Sequence, residues 1–187
     1  MIDIRGLAYV VAETTDIARW KTFAEGVLGM MTSPAPGGGL YVKMDERQFR
    51  FVVQPGTRDG YVASGWEVLD AAAFEAGLAT LKASNTAFEL ADAATCRERW
   101  VQQLARFQDP AGNRHELVWG FQSDFIRFAS PAGVSSFVTG DIGMGHTVLP
   151  APNFDETVRF MREVMGFGLS DLFNFKPAGE GGPVVPI

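Results

Sequence analysis

Along the first thirty residues the apolar positions change period once. Ile4 to Ala12 is rich in Val, Leu and Tyr, the composition of a strand. Thr14-Thr15-Asp16 then supplies helix N-cap chemistry. Ile17, Trp20, Phe23, Val27 and Leu28 recur at helical spacing, an apolar stripe suited to lie on a sheet. Gly29 fits a left-handed helix end. Met30–Ser33, Leu40–Met44 and Phe49–Gln54 read as short strands, with Pro34–Gly39 a loop and Asp45-Glu46-Arg47 a hairpin turn. The order is strand, helix, strand, strand, strand.

The order then recurs. Tyr61–Leu69 reads as a strand, and Asp70 caps a helix with Phe74, Leu78 and Leu81 on one stripe. Phe88–Leu90, Arg99–Phe107 and Arg114–Trp119 read as three further strands. Asp109-Pro110-Ala111-Gly112-Asn113 is turn chemistry, since Pro sets φ and Gly or Asn tolerates positive φ. Phe121 to Thr139, with Pro131, Gly133 and Ser135-Ser136, is a crossover.

A third module begins near Asp141. Gly143-Met144-Gly145-His146-Thr147-Val148-Leu149 reads as a buried strand holding one histidine. Asn153 and Glu156 have capping-box spacing, and Val158, Met161, Val164 and Met165 give the next helix its stripe. Gly166 ends that helix, Leu169–Phe175 reads as a second strand, Lys176–Gly182 as a loop and Val184-Val185 as the start of another strand. Residues 9–30 overlay residues 146–167 without a gap: Tyr9 falls on His146, Val11 on Val148, Phe23 on Phe160, Val27 on Val164 and Gly29 on Gly166. The offset, 146 − 9 = 137, is too long for a solenoid repeat and suits tandem domains. The expected division is residues 1–133 as one complete domain, 134–140 as a linker and 141–187 as the incomplete start of a second. Half a module leaves its apolar face uncovered and its strand edges unpaired. That face should therefore dock on residues 1–133, on another chain, or on further sequence of its own module.

Composition is globular, with 187 residues, 47% of them hydrophobic and 20% charged. The net charge of −6, with no Lys/Arg run, argues against nucleic-acid binding, which needs clustered cations. No apolar run approaches a membrane span, and Met1-Ile2-Asp3-Ile4-Arg5 lacks the features of a secretory signal. The single cysteine, Cys96, excludes an intramolecular disulfide and suits a reducing cytoplasm. It reads as a small buried side chain rather than a reactive thiol.

Few residues carry candidate chemistry. His146 is either a hydrogen-bonded core histidine or a metal ligand on an inner sheet face. Val148, two residues on, shares its side of the strand. Glu116 has no histidine partner in the first two modules, where Tyr9 stands at the first-strand position and Tyr61–Leu69 contains none. It reads as a structural carboxylate that pairs with an arginine or with Tyr9 to offset its desolvation. His115, adjacent to it, should point to the opposite face as a surface or interface residue, and Glu67 should face solvent or an interface. Two histidines and no nucleophile elbow give no support to Ser-His-Asp chemistry. Gly37-Gly38-Gly39 lacks the Lys-Ser/Thr of a phosphate loop.

Paired strand-helix-strand-strand-strand modules resemble the vicinal oxygen chelate superfamily, an α+β fold in which paired βαβββ modules form a cupped mixed sheet. Gly65-Trp66-Glu67-Val68, the Asp109–Asn113 turn followed by Glu116 and Gly120, and Gly143-Met144-Gly145-His146-Thr147-Val148 are similar to stretches of its two-domain type I extradiol ring-cleavage dioxygenases, of the 2,3-dihydroxybiphenyl 1,2-dioxygenase kind. The resemblance implies a non-heme Fe(II) site, Mn(II) in some members, held by two histidines and a glutamate. It places His146 as the first ligand and Val148 as a wall beside the substrate. It further implies a small-molecule catechol and dioxygen as partners, meta-cleavage of the ring, a cytoplasmic enzyme and a homo-oligomer. The second histidine and the glutamate of that site are not in these 187 residues, so this chain alone should be inactive. A second reading stands beside it: residues 1–133 as a metal-free module binding a small aromatic, of the glyoxalase/bleomycin-resistance type. A metal-dependent isomerase or thiol transferase of the superfamily is disfavoured by the absent ligands.

Overall fold

Two long strands meet side by side at the middle of the structure, a computed structural model describing residues 1–140 and 143–171 with the backbone of 174–175 and 185–186. They are β1 (Ile4–Thr14) and β5 (Gly60–Val68), and they run antiparallel. Each takes the last strand of its own module in parallel on its other edge: β4 (Phe51–Pro55) beside β1 and β8 (Arg114–Trp119) beside β5. Outside these lie β3 (Gly39–Lys43) and β2 (Met31–Ala35) on one flank, and β7 (Gln103–Gln108) and β6 (Phe88–Leu90) on the other. The sheet order β2-β3-β4-β1-β5-β8-β7-β6 therefore reads the same for both modules from the centre outward. Register shifts at three points along β1–β5 bend the central pair, as bulges do. Tyr9 is opposite Gly65, and a Cβ at Gly65 would lie 2.5 Å from the Tyr9 ring. Glycine there lets the ring lie flat across the neighbouring strand.

The helices form where cap chemistry precedes an apolar stripe. Asp16 accepts from the Arg19 N–H to start α1 (Ile17–Gly26), and Asp70 accepts from the Ala73 N–H to start α2 (Ala71–Ala83). A cap of this kind contributes about 0.5–2 kcal/mol. In α2 the expected stripe is buried: Phe74, Leu78 and Leu81 pack with Trp66, Val68, Phe107 and Leu117. In α1 only Ala24 is buried, while Phe23 and Val27 are exposed. The small Ala24 sits against the sheet, and one residue is about 100° of helix rotation, so Phe23 turns outward.

The strand expected over Arg99–Phe107 starts only at Gln103. Before it comes a helix the sequence reading did not foresee, α3 (Ala93–Glu98), capped by Asp92 accepting from the Thr95 N–H. Trp100, at φ 53, then turns the chain into β7. Arg99 thus leaves a helix end rather than a strand, and its side chain is directed into the sheet.

Beyond β8, Phe121 closes on Tyr9 and Phe49, with ring centroids 5.5 and 5.2 Å away. Further on, α4 (Phe154–Glu163) seats on the first two modules. Phe160, Val164 and Met165 are buried with Ile2, Trp66, Phe74 and Leu117, and the Ile2 N–H donates to Val164 O at 2.7 Å. The segment after residue 141 thus docks on residues 1–133, one of the outcomes expected for it. Gly166 (φ 78) makes the turn, where a Cβ would lie 2.4 Å from Ile2 O. The capping box is not formed as expected: Asn153 makes no side-chain bond to the helix backbone and is drawn instead to Pro110 O and Thr157. Of the strand expected over Leu169–Phe175, β9 (Asn174–Phe175) is present, paired with β10 (Val185–Pro186). Leu172, Phe173 and the expected loop at Lys176–Gly182 lie outside the described residues.

Candidate active-site segment and cupped cavity

The segment bearing His146 and Val148 is pinned at both ends. Gly143 forms a single parallel bridge with Leu7, and the Met144 N–H donates to Leu7 O at 3.0 Å. At the far end the Asn113 side-chain amide donates to Pro150 O at 2.8 Å, and the Asn153 amide donates to Pro110 O at 2.8 Å. Between these pins the expected strand is not formed. Gly143 (φ 68) and Gly145 (φ 99) divert the backbone from the extended region, and no strand lies alongside residues 145–150 among the described residues. A strand without a neighbour has no ladder to hold it. The alternation of faces survives all the same: Thr147 and Leu149 are half-buried, whereas His146 is exposed and Val148 is 80% exposed.

The pin at Pro150 is the outer end of a buried polar chain. Trp66 Nε1–H donates to His115 Nδ1 at 2.9 Å, so the ring proton resides on Nε2, which faces Asp109 Oδ2 at 3.4 Å. Asp109 also accepts from the Asn113 backbone and side-chain N–H, each at 2.8 Å. Burial would raise the Asp109 carboxyl, but hydrogen bonds from His115 and Asn113 outweigh it and hold the carboxyl below its usual range. His115 corrects the expectation of a surface or interface residue: its side chain is wholly buried, stacked on Phe107. Its face of β8 is not open to solvent, because α2 and α4 cover it.

On the other face of β8, Glu116 is the structural carboxylate expected. Its Oε2 accepts from the Tyr9 hydroxyl at 2.7 Å and from Arg99 Nε at 3.1 Å, and Oε1 meets Arg106 Nε at 3.4 Å. Arg106 is also the cross-strand partner of Glu116, visible from the β7–β8 register. Arg99 was hidden from sequence reasoning by the unforeseen α3. Burial, reinforced by the Glu116 charge, pushes the Tyr9 phenol far above its ordinary range. Burial works against the Arg99 charge, but Glu116 and Tyr9 overcome it and raise its pKa. The cluster lies in a cavity of about 820 Å³ whose walls include Val62, Phe88, Phe107 and Phe160. Elsewhere, Glu67 pairs with Arg47 at 3.2 Å at the edge of solvent. Cys96 is buried, and burial pushes its thiol up.

Chemically the two places differ. The described residues contain no group of three His, Cys, Asp or Glu side chains able to hold a metal ion. His146 is a single imidazole and does not by itself fit an iron centre built from two histidines and a carboxylate. The Glu116 carboxylate is engaged on both oxygens by two guanidinium groups and a phenol. No helix among the described residues is long and apolar enough to cross a membrane.

Comparison with known proteins gives this architecture its relatives. Residues 7–56 match a family model described as dihydroxybiphenyl dioxygenase BphC D1. An iron-dependent extradiol dioxygenase of Rhodococcus jostii is 37% identical over 183 residues, covering 97% of this chain and 61% of the relative. A biphenyl-2,3-diol 1,2-dioxygenase of Paraburkholderia xenovorans is 35% identical over 176 residues, covering 94% of this chain and 59% of the relative. The chain therefore spans about three fifths of the length of the curated relatives it matches. Among solved structures, BphC, a halotolerant catechol dioxygenase, superposes with a TM-score of 0.87 at 32% identity, over 91% of this chain and 58% of that one. A Mn(II)-bound glyoxalase from Novosphingobium aromaticivorans, 20% identical with a TM-score of 0.70, shares the fold.

Proposed function

We propose that this chain, which belongs to the extradiol ring-cleavage dioxygenases of the vicinal oxygen chelate fold, is the non-catalytic domain and the opening of the catalytic domain of an enzyme that meta-cleaves a catechol of the 2,3-dihydroxybiphenyl class. The observation that carries this reading is the match, along 97% of the chain, to a relative named as an iron-dependent extradiol dioxygenase. In this reading residues 1–133 form the first domain, 134–140 the linker and 141–187 the start of the second. His146 is the first iron ligand and Val148 a wall of the substrate site. Their shared outward side supports the pairing, because it points both away from the filled core and toward whatever packs on that face. Iron is supported by the relative's name, Fe(II) by the two-histidine-one-carboxylate donor type, and Mn(II) as a substitute by the Mn(II)-bound glyoxalase of the same fold. The buried free thiol of Cys96 suits a cytoplasmic protein. Exposed Phe125 and Ile126 on the crossover are suited to a homo-oligomer contact.

The test is a chimera in which the part of the Rhodococcus jostii relative beyond its match to this chain, about two fifths of its length, follows Ile187. It should bind iron and convert 2,3-dihydroxybiphenyl to a yellow ring-cleavage product, whereas the 187-residue chain alone should do neither. In the chimera, His146→Ala should abolish iron binding measured by metal analysis, and Val148→Ala should raise KM while leaving the iron content unchanged. Iron bound equally well by His146→Ala would remove His146 from the site.

A further inference from the structure

The first and third modules exchange their entry segments. The 137-residue overlay extends back to place Gly6 on Gly143 and Leu7 on Met144. These mates meet in space: Gly143 bridges Leu7, and the Met144 N–H donates to Leu7 O at 3.0 Å. On either side of that meeting point each entry segment packs on the other module's helix. Ile2 and Leu7 share a core with Phe160, Val164 and Met165, while Phe137 and Met144 pack with Trp20, Ala24 and Leu28. The helix ends match as well. A Cβ on Gly166 would strike Ile2 O just before the first module, and one on Gly29, its overlay mate, would strike Val134 on the way into the third. Contacts that recur with the partners swapped are those of a two-fold axis, as in an isologous interface.

One half of that symmetry is filled and the other is open. α4 reaches beyond the first module to the second: the Phe160 ring lies 6.3 Å from Phe107 between centroids, and Trp66 and Leu117 belong to the same core. Phe160 and Val164 are each 9% exposed as a result. Their overlay mates at α1, Phe23 and Val27, are 44% and 71% exposed. Phe23 also holds an edge contact with Trp20, which adds a ring to the open stripe. A two-fold that carries the third module onto the first carries the second onto a fourth. It brings the helix-covered face of that fourth module onto Phe23 and Val27.

We infer that Phe23 and Val27 are the α1 half of an interface with a fourth strand-helix-strand-strand-strand module, the partner of the third in the catalytic domain. Phe160 and Val164 are the matching half already closed on the second module. The inference rests on the reading of residues 141–187 as the start of a second domain. The relatives, of which the chain spans about three fifths, are long enough to hold the fourth module. A second copy of this chain cannot supply the same contact, because its second module is already covered by its own α4.

Val27→Cys and Ala18→Cys, each placed in the 187-residue protein and in the chimera described above, provide the test. Labelling by a maleimide is timed, with the unsubstituted proteins as background. Ala18 is exposed and nine residues from Val27, on the opposite side of the helix. In the 187-residue protein the two thiols should react at similar rates. In the chimera Val27→Cys should react at least about tenfold more slowly, with Ala18→Cys unchanged. Equal rates for Val27→Cys in the two proteins would overturn the inference. So would protection in the 187-residue protein that grows with its concentration, since a second copy would then be the cover. Iron content and ring cleavage are read separately. An active chimera in which Val27→Cys stays reactive sinks the interface alone, whereas a chimera that protects Val27→Cys without binding iron supports the interface and sinks the functional reading. Cysteine at the position aligned with Val27 in the intact Rhodococcus jostii relative repeats the measurement without a junction. It should label slowly there, and fast labelling would again overturn the inference.

Discussion

The Tyr9 hydroxyl donates to a Glu116 oxygen at 2.7 Å, and Tyr9 is the residue that the 137-residue overlay places on His146. Two positions related by that overlay thus do opposite work. Tyr9 faces inward and locks a carboxylate that is already held by two arginines, whereas His146 faces outward. Tyr9→Phe keeps the ring and removes only the donor. Because the acceptor is charged and buried, the loss should be about 1.5–3 kcal/mol in urea unfolding. Glu116→Gln should cost more, about 3–5 kcal/mol, since it strips the charge facing buried Arg99. The double variant should lose clearly less than the sum. Strict additivity would mean that the two side chains are not energetically coupled.

Alkaline titration should report the same burial. All three tyrosines, Tyr9, Tyr41 and Tyr61, have phenols raised above the ordinary value, with burial the leading cause in each. A folded-state pKa above the unfolded one means that the protonated phenol favours folding. This contribution is complete below about pH 10 and is lost as pH rises through the folded values. Tyr61 is pushed up to about 12. Near-ultraviolet tyrosinate absorbance should therefore rise late and steeply, together with loss of far-ultraviolet circular dichroism. A gradual rise centred near pH 10 in the folded protein would contradict the burial of these rings.

Met165 is fully buried in the core that α4 shares with the first two modules. Met165→Ala should cost about 2–5 kcal/mol. Unfolding should remain a single transition, with the same midpoint by fluorescence and circular dichroism. Two separate transitions, or a loss under about 1 kcal/mol, would show that α4 is only loosely seated.

Asn113 joins the buried Asp109 carboxylate to Pro150 O, four residues beyond His146. Asn113→Ala should release that pin. Hydrogen exchange should then quicken over residues 146–157, with little change in α2, and stability should fall by about 1–3 kcal/mol. Uniform quickening across the whole chain would point to global destabilisation instead.

Sequence by itself determined the elements wherever a local signal and the tertiary outcome agree. The Asp16 and Asp70 caps, the Phe74-Leu78-Leu81 stripe and the paired module order all follow from short-range chemistry that packing reinforces. The two-residue spacing likewise anticipated that His146 and Val148 share a side. Tertiary structure decided what depends on neighbours distant in sequence. Both faces of β8 are covered, so His115 is buried although its alternation with Glu116 suggested solvent. Alternation assigns opposite faces but does not say which of them is wet. Arg99 reaches Glu116 because α3 turns the chain there; the sequence reading assigns no element to Ala93–Glu98 and begins the strand at Arg99, four residues before Gln103, where it starts. The run from Gly145 to Leu149 has strand composition but no ladder among the described residues, because a strand is a relation between two segments and composition describes only one.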